Sequence, residues 1–534
     1  MEQETQTRQP MYAFINASAG WLNPHIAGFL RQHVPELVVV DSIDDIPPSA
    51  TTVFQFCDGW ELAQNFAILN TAPRALLNAY PSSDALARKD HLARVVDLWT
   101  AKRPDSVLAR HVPRTVRLTL DYAEYVDEAL AAADDLGLLA SLEENEGRPR
   151  EERQWWILKP ALVDCGAGIR LFSTIGELEG WLESVADETD GEDEDEEEDE
   201  KEEVVFEEEV EKDGVMTNGT TPRHDDDKKK EDDQKDQLSF SPTLSTPGLD
   251  TLDVLVTTAT AAAAAATPSR QSPSLRPKKP AYTFKAGGRI PSAQMRAFVA
   301  QQYIHRVAPI EGRKWHVRAY AVAVGRLRVH VFRDMLALLA SEEYIPPWEE
   351  REGTLLRASL TNTALQDADE VEKKQSMRDF WFDGNGVGAD EGSEKGPVPA
   401  DLFPNLGPGW KEKVFDQICV IAGELFRAAA HTMADKFTVL DKCFELFALD
   451  FLVDEEGRPW LLECNETPAF YQQGVAGPIA LRVMESLICV VMEHMGMAQV
   501  GDSKNAVARG RLVEVLNETD KLGKTNITEI EAGW

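Results

Sequence analysis

Cysteine is scarce in this chain and never paired in sequence. The six stand at 57, 165, 419, 443, 464 and 489, with no CxxC and no histidine spacing that suits zinc. A disulfide framework and a zinc module are thereby excluded as the basis of the fold, and the thiols are expected to stay reduced, as in a cytosolic or nuclear protein. Long apolar runs are missing too: the longest candidate, 257–267, is Thr- and Ala-rich and falls short of the ~20 residues a membrane helix needs. The opening MEQETQTRQP is polar and acidic, the wrong chemistry for a secretory or mitochondrial leader, so a cytoplasmic protein with no membrane partner is expected. Positive charge is in short supply. Against 92 Asp and Glu there are 55 Lys and Arg, a net charge of −37, which argues against general nucleic-acid binding. No internal repeat is evident, and no Ser–His–Asp or Cys–His arrangement suggests a covalent nucleophile.

What is present suits a globular protein: 43% hydrophobic and 8% aromatic residues in 534, enough for about three domains. Residues 11–16, 36–40 and 51–56 have the composition of short buried strands, with helical patterns over 24–33 and 59–69, so 1–80 forms a small N-terminal α/β domain. A second unit, 81–186, begins with a helix over 84–101, a strand near 114–120 and a helix over 121–133. It continues with strand, loop and strand through 155–172, then a helix over 175–182. Residues 187–290 carry an acidic run (19 acids and 2 bases between 187 and 213), a mixed-charge block and Ser/Thr/Pro/Ala tracts. Too few large apolar side chains remain there to offset chain entropy, so a long disordered insertion is expected. Order resumes over 291–500 with strands at 314–324 and 327–333 that pair as a hairpin around Gly325. A flexible loop follows at 367–400, then a helix over 410–433, a second hairpin over 443–464 and a helix over 477–495. The tail, 501–534, is expected to be loosely held.

The second hairpin, FELFALDFLVDEEGRPWLLECNETP, carries the most chemical information. A bend at Glu456–Gly457 sets Asp450 opposite Glu463, with Asn465 two residues further on the same face. Their neighbours Phe447, Leu449, Phe451, Leu461 and Leu462 are apolar. Two carboxylates in such surroundings repel unless a cation lies between them, and two acids with an amide oxygen suit Mg²⁺. Taken alone, the hairpin is equally compatible with a charged, exposed sheet face.

Three further segments add to it. Trp155-Trp-Ile-Leu-Lys159-Pro160 ends an apolar strand on a lysine, and Gly166 and Gly168 follow in a loop where backbone N–H groups could approach phosphate; an ordinary hairpin loop explains those glycines as well. The strand Phe298–Ile304 could offer its backbone to an adenine edge or could be plain core. Lys314, His316 and Arg318 alternate with apolar residues and share one face, with Arg333 in the next strand. A cationic face across from a metal-holding carboxylate pair is what phosphoryl transfer requires.

Together these segments resemble the tubulin–tyrosine ligase family. The matching motifs occur in family order: ILKPALVDCGAGI, AQQYIHR, EGRKWHVRAYAVAV, VFRDMLALLAS, SLTNTAL and FELFALDFLVDEEGRPWLLECNETPAF. The resemblance spans about 84–185 and 290–495, the N-terminal unit is similar to the family's small first domain, and the YAFIN opening is similar to fungal members. It implies an α+β, ATP-grasp fold, ATP and Mg²⁺ as cofactors, and an acyl-phosphate route to an amide bond.

By the same resemblance, Lys89 and Lys159 contact phosphates; Gln301, Gln302, Tyr303 and Ile304 hold adenine; and Lys314 and Arg318 face ribose and phosphates. Arg333 stabilises the transferred phosphoryl group, Thr361 and Asn362 lie near substrate, and Asp450, Glu463 and Asn465 hold the metal. Three positions depart from the pattern: His316 replaces a usual acid, Ser359 a common histidine and Gln302 a common lysine. The implied reaction adds an amino acid, tyrosine on the compact layout, to the C-terminus of α-tubulin or to another acidic protein tail. The alternatives are a glutamate or glycine ligase of tubulin, a ligase on another protein, and a catalytically weak nucleotide-binding scaffold associated with processing bodies.

Overall fold

Short runs of β-branched and aromatic residues build the first sheet. Strand β1 (Met11–Asn16) is followed by helix α1 (Asn23–His33), then β2 (Leu37–Val40), β3 (Thr52–Cys57) and β4 (Arg74–Leu77). The strands are all parallel in the order β2-β1-β3-β4, with Met11 paired to both Leu37 and Thr52. The computed structural model describes residues 10–57, 66, 69–120, 126–133, 135, 137–162, 169–180, 297–349, 355–361, 376–382, 397–497 and 503–519. All of these belong to one compact unit. The insertion expected at 187–290, most of the helix expected at 59–69 and the loop with Gly166 and Gly168 lie outside the described residues.

The single helix expected over 84–101 is two: α2 (Asp84–Ala87) and α3 (Lys89–Thr100), separated by Arg88 in extended conformation (φ −81°, ψ 128°). After α4 (Leu108–His111) comes a second, antiparallel sheet, ordered β5-β8-β6-β7. It contains β5 (Thr115–Thr119), β6 (Trp156–Pro160), β7 (Arg170–Phe172) and β8 (Ala297–Gln302). Between β5 and β6 run α5 (Val126–Ala131) and α6 (Gly137–Glu146), whose Val126, Leu130, Leu138 and Leu142 pack on Trp156, Leu158 and Phe298.

The largest sheet is ordered β11-β10-β9-β12-β13 and is antiparallel throughout. Its members are β9 (Trp315–Val324), β10 (Arg328–Leu339), β11 (Met377–Asp379), β12 (Phe444–Val453) and β13 (Pro459–Glu466). Helix α7 (Leu355–Ser359) precedes β11, and α8 (Trp410–Thr432) precedes β12. β11 gives order to three residues within the stretch expected as a loop. The two-residue period sorts β9 cleanly. Val317, Ala319 and Ala321 join Phe415, Ile418 and Phe426 of α8, while Tyr320, Val322 and Val324 join Ile479, Val483 and Leu487 of helix α9 (Ala476–His494). Between β9 and β10 the turn takes three residues, Gly325 to Leu327. Gly325 (φ +59°) opens it, because a side chain there would collide with His494.

The expectation of a loose tail is corrected for residues 503–519; residues 520–534 lie outside the described residues. Helix α10 (Ser503–Gly510) leads into β14 (Leu512–Asn517), which pairs with the first half of β10 from Arg328–Asn517 to Phe332–Leu512. Its end is locked by Glu518, which accepts 2.7 Å hydrogen bonds from Arg427 and His431 of α8. The tail's short apolar run, Leu512, Val513, Val515 and Leu516 around Glu514, was outweighed in the sequence by its polar flanks. Cys57, Cys419, Cys443, Cys464 and Cys489 are buried thiols, and no described helix is long and apolar enough to cross a membrane.

Candidate functional site

A cleft of about 430 Å³ lies between the second sheet and the exposed end of the large one, and α2 and the start of α3 reach its edge. Its floor is the β9/β12/β13 face. Asp450 does lie opposite Glu463, but through a route the bend alone does not provide. From the turn, Val453 pairs with Pro459 and Phe451 with Leu461; a bulge then intervenes, and Asp450 pairs with Glu463. Without the bulge, Glu463 would share a face with Leu461, which is wholly buried in the α8 core. With Leu462 as the extra residue, Glu463 turns to the cleft and Cys464 takes up the core position.

Arg318 grips Asp450 with two hydrogen bonds, Nε to Oδ1 at 2.9 Å and Nη2 to Oδ2 at 2.8 Å. Asn465 donates its Nδ2 to the same Oδ2 at 3.2 Å, and His316 Nε2 stands 3.6 Å from Oδ1. Burial raises the pKa of Asp450, but the charges of Arg318 and His316 outweigh it and hold the carboxyl well below its usual range. His316 also meets the Thr361 hydroxyl through Nδ1, tying that segment to the floor.

Two buried lysines face this group. Lys159 Nζ donates to Gln301 Oε1 at 2.8 Å, and burial lowers its pKa to about 8 despite the opposing pull of Glu463 and Asp450. Lys314 donates to the Ile304 carbonyl at 3.0 Å and lies 3.8 Å from the centre of the Tyr303 ring; burial, then Lys159, depress it well below the ordinary lysine value. Neither forms an ion pair among the described residues. Lys89 approaches Glu463 Oε2 at 3.7 Å, and Gln302 is held by Gln154 at 3.1 Å. Ile157, Ile169 and Leu360 add apolar wall beside Tyr303 and Ile304.

The donor set fits a hard divalent cation. Arg318 and Asn465 occupy three of the roughly four lone-pair sites on Asp450. Since the Asn465 amide uses its nitrogen on Asp450, its oxygen remains available with the Glu463 carboxylate. Buried lysines that form no ion pair among the described residues, with carboxylates across from them, suit a metal-bound polyphosphate.

A model of the tubulin–tyrosine ligase family matches residues 69–205, 274–392 and 401–504. The chain belongs to the tubulin–tyrosine ligase family. It is 30% identical to a probable tubulin–tyrosine ligase of Schizosaccharomyces pombe over 92% of both chains. It is 25% identical to the probable tubulin–tyrosine ligase PBY1 of Saccharomyces cerevisiae, over 83% of this chain and 47% of that one. The crystal structure of the C-terminal domain of Kluyveromyces lactis Pby1, described as an ATP-grasp enzyme interacting with the mRNA decapping enzyme Dcp2, superposes with a TM-score of 0.54 at 20% identity, covering 95% of this chain and 99% of that domain. The fold is therefore ATP-grasp.

Among the residues expected from the family pattern, the cleft gathers Lys89, Lys159, Gln301, Gln302, Tyr303, Ile304, Lys314, Arg318, Thr361, Asp450, Glu463 and Asn465. Asn362 lies outside the described residues. Arg333 is not brought to the cleft, which corrects the role expected for it. It sits in a β-bulge, where the β9 register shifts between Val331 and Met335, and so turns to the α8 face. There it pairs with Glu412 at 2.5 Å and lies 4.7 Å from the Trp381 and Phe415 rings. The β10 residues opposite Arg318 and His316 are Leu336 and Leu338. Replacing Arg333 with alanine is expected to leave nucleotide affinity within about twofold and to cost no more than about 1 kcal/mol of stability, measured by titration and urea unfolding.

Sequence reasoning missed Ser83, Glu445 and Glu466. The Ser-Ser-Asp start of α2 is a recognisable helix-entry signal, but nothing in sequence links it to two glutamates far along the chain.

Proposed function

We propose that this protein is an ATP- and Mg²⁺-dependent carboxylate–amine ligase that adds an amino acid, tyrosine, to the C-terminal carboxylate of α-tubulin. The observation that carries the reading is the pairing of two desolvated lysines, Lys159 and Lys314, with the Asp450–Glu463–Asn465 group across one cleft. The near full-length likeness to a protein named a probable tubulin–tyrosine ligase supports the choice of donor and acceptor. A route without a covalent enzyme intermediate agrees with the two thiols: burial pushes Cys464 well above its usual range and Cys419 up to about 12.

In this reaction an acceptor carboxylate oxygen attacks the γ-phosphorus of ATP. The bond to ADP breaks, an acyl phosphate forms, and the amine attacks its carbonyl carbon, releasing phosphate and a proton. Lys159 and Lys89 would hold phosphate oxygens, and Arg318 would keep Asp450 ionised and fixed. Gln301 to Ile304, with the Tyr303 ring and Ile157, would receive the base. Glu463, Asn465 and the remaining site on Asp450 would hold Mg²⁺, which neutralises phosphate charge when bound. Leu360 and Trp348 help to exclude water beside Tyr303.

Because the Lys159 ammonium loses its proton near pH 8 in the free protein, ATP affinity is expected to fall as pH rises through that value. Titrations across the range should show a shallower slope in Lys159→Arg, whose guanidinium does not titrate there. The functional test is incubation with ATP, Mg²⁺ and detyrosinated tubulin, offering labelled tyrosine, glutamate or glycine in turn. Tyrosine label becoming covalent supports the proposal; label from another amino acid, or none, contradicts it.

A second reading is a catalytically weak nucleotide-binding scaffold associated with mRNA decapping. His316 in place of an acid, with Leu338 opposite it and Leu336 opposite Arg318 on β10, favours it, as does the interaction with Dcp2 named for the K. lactis domain. It predicts ATP binding with no amino-acid transfer to any tail.

A further inference from the structure

A hydroxyl carries one proton, yet Ser83 Oγ makes two short contacts with carboxyl oxygens. It lies 2.9 Å from Glu445 Oε1 and 2.7 Å from Glu466 Oε2. Donation satisfies only one of these; the other is a hydrogen bond only if that carboxyl supplies the proton. Glu445 is the member suited to keep it. It is 4% exposed, on the core face of β12, whereas Glu466 reaches the edge of the cleft. The groups around Glu445 are Tyr80 and Ser83 from the segment before α2, Glu466 and Cys464 from β13, and Cys443 preceding β12. None of these is a cation. Burial first, and then the Glu466 charge, raise its pKa to about 8, against the opposing effect of its bonds from Tyr80 and Ser83.

This trio anchors the segment that delivers Lys89. Tyr80 N donates to Glu445 Oε2 at 3.1 Å, and the Tyr80 hydroxyl reaches the Gly325 carbonyl at 2.8 Å. Leu86 and Ala87 N–H groups return to the Ser83 carbonyl, so Ser83 and Arg88 are the two ends of the single turn α2. The next residue is Lys89, whose backbone N–H is held by Ala161 O and whose Nζ faces Glu463. A one-turn helix pinned at its entry transmits that position to the residue just beyond its exit.

We propose that Ser83, clamped between a protonated Glu445 and the Glu466 carboxyl, is the positioning residue that sets Lys89 in the nucleotide cleft. The inference rests on the reading of that cleft as an ATP site. Its proton-sharing half is independent of that reading.

The test has two arms on the full chain. Infrared difference spectra below and above pH 8 are expected to show a carboxylic-acid carbonyl band that disappears on the alkaline side and is absent from Glu445→Gln. Absence of the band in the wild type, or its persistence in the variant, overturns the proton assignment. Mg²⁺–ATP titration supplies the second arm, through a cycle of Ser83→Ala, Lys89→Ala and the double variant. Ser83→Ala should weaken binding about fivefold, the worth of one hydrogen bond, with affinity recovered in Ser83→Thr. The double variant should bind no more weakly than Lys89→Ala alone. Additive losses, or no recovery in Ser83→Thr, overturn the positioning role while leaving the ATP reading intact. No ATP binding by the wild type overturns both.

Discussion

Arg318→Met is expected to destabilise the protein by about 3–5 kcal/mol and to abolish ATP turnover, because it leaves the Asp450 carboxylate buried without its partner. The Asp450 side chain is only 4% exposed, and Arg318 supplies two of its hydrogen bonds. Urea unfolding near neutral pH should show the loss. Combining Arg318→Met with Asp450→Leu should recover most of the stability, since a buried ion pair replaced whole by apolar groups costs little, while turnover stays abolished. The pH dependence has a definite sign. A carboxyl held below its unfolded value stabilises the fold above that value, about 3.9, and the contribution fades as pH falls toward the folded value. Acid should therefore weaken the wild type more than the double variant.

The second large effect is chemical rather than structural. Glu463→Gln is expected to lower Mg²⁺-dependent ATP turnover about 100-fold or more with an unchanged unfolding midpoint. Even residues that merely orient metal ligands cost about 10–100-fold in metal affinity or activity when replaced, and Glu463 presents a partly exposed carboxylate to the cleft. Its neighbours explain why the fold should tolerate the change: Leu461 and Cys464 carry the core side of β13, and Glu463 approaches Lys89 at the long distance of 3.7 Å. A steady-state rate close to wild type would remove Glu463 from the metal site.

Much of this architecture is legible in the chain, and the exceptions share a physical cause. Period-two alternation and a turn glycine bring Asp450 to within one position of Glu463 and align Lys314, His316 and Arg318. Alternation fails at bulges. The bulge at Leu462 restores the pairing that the bend would have missed by one residue, and the bulge before Met335 sends Arg333 away from the cleft. Neither has a local signature, because each is set by what packs on the two faces of the sheet. Strand β14 went unseen for a related reason: its value lies in covering the outer edge of β10 and in the Glu518 contacts with α8, both distant in sequence. The Ser83–Glu445–Glu466 clamp joins positions more than 360 residues apart, and burial, which sequence reports only on average, is what keeps a proton on Glu445.

Calorimetric titration with ATP, with and without Mg²⁺, on the wild type and on Lys159→Met tests the account most directly. Binding should depend on Mg²⁺ and weaken at least about tenfold in the variant, as the loss of a charge-assisted hydrogen bond to phosphate entails. Binding indifferent to both Mg²⁺ and Lys159, or no binding at all, would contradict it.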